Sequence, residues 1–87
     1  MVANEGMRES NLNVFTSVYG CTLPDSVVHL NRLGWRVVGA VQISSTLSII
    51  TARTRDQHAL MYARRGKICS INFGRPGAFI FPSATGN

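Results

Sequence analysis

Two stretches of this chain carry the same punctuation, and that repeat constrains the fold more than any other feature. Thr22, with Pro24 and Asp25 behind it, opens a segment in which Leu23, Val27, Leu30 and Leu33 recur at helical spacing before Gly34. Further along, Thr54, Asp56 and Gln57 open a second segment. Ala59, Leu60 and Ala63 give it a thin apolar stripe, and Gly66 closes it after Arg64 and Arg65. A hydroxyl before the first turn, an acid within it and a glycine free to turn left-handed after the last are start and stop signals of a helix. The flanks echo as well. Leu12-Asn13-Val14-Phe15-Thr16 matches Leu47-Ser48-Ile49-Ile50-Thr51, and both alternate and are rich in β-branched residues. That pattern predicts strands over 12–19 and 47–53.

A strand is expected after each helix. Residues 35–43 put Trp35, Val37, Val41 and Ile43 on one face and Arg36, Val38, Ala40 and Gln42 on the other. Residues 67–73 put Cys69, Ile71 and Phe73 on one side. Arg75-Pro76-Gly77 fits a type II turn, with proline second and glycine third, leading to a short closing strand over 78–81. The expected class is therefore α+β: a ferredoxin-like βαββαβ sandwich, an antiparallel sheet with two helices on one face, plus a short extra C-terminal strand. Right-handed crossovers leave the other face uncovered. Val38 and Ala40 are mildly apolar for solvent, so a second protomer or a target is expected to cover it, and a homodimer is anticipated. Residues 11–82 form the single domain, with flexible tails over 1–10 and 83–87.

Composition narrows the class further. Eighty-seven residues suffice for one modest core. At 45% hydrophobic and 15% charged, the chain is too apolar and too weakly charged to be disordered. Its longest apolar run covers residues 37–41, too short to span a bilayer. Glu5 and Glu9 stand where a secretory signal needs apolar residues. Two cysteines are too few for a disulfide scaffold. A cytoplasmic domain without a membrane partner is expected.

Charge is the lopsided feature. Net charge is +5, and residues 32–87 hold eight cations against Asp56 alone. Eight of the nine basic residues are arginine, whose planar fork suits bidentate contact with carboxylate or phosphate. The expected partner is an acidic surface on a protein or nucleoprotein, with nucleic acid as an alternative. The sharpest candidate is Arg64-Arg65-Gly66-Lys67, read as a helix–strand junction, with Arg53, Arg55 and Arg75 as further contacts. The same cations in a last helical turn would also complement the helix dipole without any partner.

Catalytic chemistry finds little support. Of four acids, two lie near the N-terminus and two are helix-start residues, leaving no carboxylate pair for acid–base work. Cys21, Cys69, His29 and His58 lack the local pair spacing of a zinc site. No metal, cofactor or catalytic residue is assigned, and no enzymatic activity is expected. Cys69 reads as a buried strand residue, and His29 and His58 as helix residues. The expected central strands, 35–43 and 47–53, carry only Trp35 as an aromatic, which argues against reading RNA bases on the sheet. Phe73, Phe79 and Phe81 read as packing residues.

The run Val27-Val28-His29-Leu30-Asn31-Arg32-Leu33-Gly34-Trp35-Arg36-Val37-Val38, followed by Leu47-Ser48-Ile49-Ile50-Thr51, resembles the ACT family of small regulatory domains. The resemblance implies a βαββαβ order and an amino acid or similar effector bound near the loop before the first helix. By position that loop brings Gly20, Cys21, Thr22 and Asp25 into an alternative ligand site. The Cys21-Thr22-Leu23-Pro24 stretch departs from the acidic residue and Pro-Gly typical there. The helix ending in Gly34-Trp35 is also similar to small bacterial toxins with a double-stranded-RNA-binding fold, but their catalytic histidine has no counterpart over 37–49. The reading favoured is a small non-catalytic module that docks on an anionic partner as a regulator or inhibitor of phage type. An effector-binding domain and a sequence-nonspecific nucleic-acid binder are the alternatives.

Overall fold

A computed structural model describes residues 8–79 of the chain. Two helices come first, α1 (Glu9–Val18) and α2 (Leu23–Arg32). Four strands follow, β1 (Arg36–Gln42), β2 (Leu47–Arg53), β3 (His58–Arg64) and β4 (Lys67–Gly74). The strands form one antiparallel sheet in the order β1-β2-β3-β4, so every connection between them is a hairpin. The architecture is α+β, but the ferredoxin-like βαββαβ order is not present. Its first strand is a helix and its second helix is a strand.

Both corrections have a physical cause. In α1 the buried residues are Asn11, Val14 and Val18, at positions i, i+3 and i+7, with Phe15 packed beside them. That stripe covers the sheet, and its burial outweighs the strand preference of isolated Val, Phe and Thr residues. In β3 the buried residues are Ala59, Met61 and Ala63, a period of two, although alanine and methionine favour helices. Leu60, expected on an apolar helical stripe with Ala59 and Ala63, points to the other side.

The Thr54–Gln57 signature is real but closes a hairpin. Thr54 Oγ1 accepts from the Gln57 N–H at 3.1 Å, and the Thr54 N–H donates to the Gln57 carbonyl at 2.8 Å. The equivalent signature at Thr22 does cap a helix, its Oγ1 accepting from the Asp25 N–H at 3.5 Å. Gly34 follows α2 with φ +86°, the left-handed stop its position predicts.

The helix pair covers one face of the sheet. Val14, Val18, Leu30 and Trp35 meet Ile50, Ala52, Ala59, Met61, Ala63, Ile68 and Ile71 in a single core. Ala52 pairs with Ala59 between the strands that carry Val37 and Phe73, and the rings of Trp35 and Phe73 meet edge-on at 5.7 Å. Small residues at mid-sheet thus leave room for the large ones, the interdigitation that close packing requires. A buried amide pair ties α1 to the β2–β3 loop. Asn11 Nδ2 donates to Gln57 Oε1 at 2.8 Å, and Gln57 Nε2 donates to Asn11 Oδ1 at 3.0 Å.

Two bulges change which residues share a face. The β1–β2 register shifts between Val37 and Gly39, so Val37 and Ala40 align with the helix-facing Ala52 and Ile50. Val41 then joins Ile49 on the opposite face, which separates it from Val37, the reverse of a strict alternation. The β3–β4 register shifts at Tyr62 and Ala63, leaving Cys69 as the extra residue. Cys69 is exposed rather than buried among Ile71 and Phe73. Ala78 and Phe79 lie in a bend; of the expected tail over 1–10, Glu9 and Ser10 belong to α1, while residues 1–7, the rest of the expected closing strand with Phe81, and the tail over 83–87 lie outside the described residues.

Candidate anion-binding face

Strand alternation sends every second side chain to the side without helices. Across the first row of that face, Arg36 pairs with Arg53, Arg53 with His58, and His58 with Gly74. At the far end Leu47 pairs with Arg64, and Arg64 with Lys67. Between the rows run Gly39, Thr51, Leu60 and Asn72, then Val41, Ile49, Tyr62 and Ser70. Ile49, Leu60 and Tyr62 are half-buried, and Thr51, its Oγ1 donating to the Gly39 carbonyl at 3.4 Å, is buried. Among the described residues, no aspartate or glutamate occupies a strand position on this face; Asp56 stands beside Arg55 in the β2–β3 loop.

The predicted cations divide between its two ends. Arg53, Arg55 and Arg75 come to one end, with Arg55 in the β2–β3 loop and Arg75 just after β4. Arg64, Arg65 and Lys67 come to the other, about six residues or 20 Å away along the strands. Arg64-Arg65-Gly66-Lys67 is a hairpin and not a helix–strand junction. Arg65 (φ +53°) and Gly66 (φ +80°) form its two-residue loop, the conformation of a type I′ turn. With no helix ahead of it, the helix-dipole role for these cations falls away. The Arg65 N–H donates to the Thr46 carbonyl at 2.7 Å and ties the two hairpin ends together.

Arg36 belongs to the site although its position alone did not single it out. Its pairing with Arg53 depends on the β1–β2 register. Like charges directly opposite on neighbouring strands are destabilising. Here that arrangement occurs twice, at Arg36–Arg53 and at Arg64–Lys67.

The segment after β4 closes on one corner of the same face. The Ala78 N–H donates to the Arg75 carbonyl at 2.9 Å and Gly77 has φ +85°, the type II turn read from Arg75-Pro76-Gly77. The Gly77 N–H donates to His58 Nδ1 at 3.2 Å. A Cβ at Gly74 would stand 2.7 Å from the Ala78 Cβ and 3.3 Å from the Phe79 ring, so glycine lets this turn lie against the sheet.

The alternative ligand loop has structural work. The Gly20 N–H donates to the Ile68 carbonyl at 2.7 Å, and the Ile68 N–H donates to the Cys21 carbonyl at 2.9 Å. Cys21 Sγ lies 3.4 Å from the Ser17 carbonyl. With the Thr22–Lys67 bridge and the Asp25 N–H on the Thr22 cap, these residues hold the helix pair on the edge of β4. His29 lies in α2, whereas His58 opens β3. Among the described residues, no three His, Cys, Asp or Glu side chains gather as metal ligands. Among them too, no helix is long and apolar enough to cross a membrane. No family model, curated protein or solved structure matches the chain.

Proposed function

We propose that this chain is a non-catalytic binding module that docks through the helix-free face of its sheet on an anionic protein or nucleoprotein surface, acting there as a regulator or inhibitor. The observation that carries the reading is the pair of like-charge neighbours, Arg36–Arg53 and Arg64–Lys67, on a face whose described strand positions hold no acid. A sheet selected only for stability would alternate charge at these positions. An anionic partner turns the repulsion into attraction, and arginine forks meet carboxylate or phosphate in bidentate geometry.

The reading separates stability from binding. Arg53→Glu places an acid between Arg36 and His58, and is expected to raise unfolding free energy by about 0.5 kcal/mol in urea titrations. The same variant is expected to elute from immobilised heparin at clearly lower salt than the parent. A variant that is neither more stable nor less retained would remove the basis of the proposal.

A further inference from the structure

Resting on the anionic-partner reading, we infer that the occupant of the helix-free face is a single-stranded nucleic acid. Cations stand in two rows about 20 Å apart, so the occupant must present negative charge at two separated places, with flat surface between. Tyr62 lies in that interval, on β3, which the sheet order makes a central strand. It faces away from the helices, because its neighbours Met61 and Ala63 are the buried residues of the strand. The turn after β4 brings a second ring, Phe79, against Gly74 on the same side. Two aromatic rings between and beside arginines are the elements that hold a single strand: bases stack on the rings while phosphates meet the forks.

An acidic helix fits this face less well. Helix-in-groove binding needs a hydrophobic groove that takes apolar anchors at helical spacing. The apolar side chains here, Leu47, Val41, Ile49, Leu60 and Tyr62, lie in rows across a pleated sheet and not along a groove between helices. Charge and stacking, both available along a nucleic acid strand, are what the surface has to give.

The test is fluorescence anisotropy of the full chain with a labelled twelve-nucleotide oligo-uridine from 50 to 300 mM NaCl, with poly-glutamate as the second polyanion. Four cations, Arg36, Arg53, Arg64 and Lys67, predict a log–log salt slope of about −3 for a single strand. Tyr62→Ala and Tyr62→Leu are each expected to weaken oligo-uridine binding about tenfold with the slope unchanged. Tyr62→Phe, which keeps the ring, is expected to bind as the parent does. No binding at 50 mM NaCl, or a Tyr62→Leu variant that binds as tightly as Tyr62→Phe, overturns the nucleic-acid assignment. Poly-glutamate binding that depends on Arg53, with oligo-uridine binding absent or indifferent to Tyr62, would overturn it while leaving the anionic-partner reading in place. Loss of Arg53 dependence for both polyanions would remove the two together.

Discussion

Met61→Ala is expected to lose about 3 kcal/mol of unfolding free energy, whereas Leu60→Ala, one residue away, loses less than about 1. Met61 is fully buried beneath the helix pair, where it sits between Ile50 and Ile71 on the neighbouring strands. Truncating it leaves a cavity that close-packed neighbours fill only in part. Leu60 lies on the helix-free face and reaches solvent, so its removal leaves a surface indentation that water fills and not a closed cavity. The ordering matters as much as the size. A helix over 58–64 would bury Leu60 with Ala63 and leave Met61 outside, so equal or reversed losses in urea titration would contradict the strand. Domains of this size hold only about 5–10 kcal/mol in total, which makes a loss of 3 easy to measure.

The second large effect concerns the buried amides. Gln57→Leu removes both hydrogen bonds that Asn11 makes to it and leaves a buried polar side chain beside an apolar one. A loss of about 3 kcal/mol is expected, because each buried group deprived of its bond costs about 1–3. Replacing both residues by leucine is expected to recover at least about 1 kcal/mol relative to the single variant, since no amide then remains to be satisfied. Thermal or urea unfolding of the two single variants and the double variant checks this. A double variant whose loss equals the sum of the singles would show that the pair is not coupled.

The same residues mark how far the sequence could be read. The α2 helix, its Thr22 cap, its Gly34 stop and the strands β1, β2 and β4 were legible from local signals, although the bulges reassign the faces of Val41 and Cys69. Residues 12–19 misled because their apolar set satisfies two periods over a short window. Only the sheet beneath Val14 and Val18 decides for the helix. Residues 58–64 misled for the opposite reason, carrying two alanines, a leucine and a methionine, all good helix formers, in a strand whose burial follows alternation. The Thr54-to-Gln57 spacing added to the error, since a hydroxyl three residues before an amide donor closes a hairpin loop as readily as it caps a helix. The apparent repeat is therefore one of punctuation and not of fold.

The site was legible in kind but not in place. Composition located the basic half of the chain and its arginine bias. It could not pair Arg36 with Arg53, because that contact depends on a bulge at Val38 and on a register fixed by the core face. Nor could it send Arg64 and Arg53 to opposite ends of one surface. Tyr62 went unnoticed as a residue of this face because a helix was read where β3 runs. Once β3 is a central strand, the sheet has the aromatic that its sequence reading lacked.

We propose that the helix-free face, and not net charge alone, receives the anionic partner. The most direct measurement compares two double reversals of equal charge on immobilised heparin: Arg36→Glu with Arg53→Glu on the face, and Arg8→Glu with Arg32→Glu on the helix layer. The face variant is expected to elute at much lower salt than the helix-layer variant, which stays close to the parent. Equal elution of the two would mean that charge is read without regard to place, and would contradict the proposal.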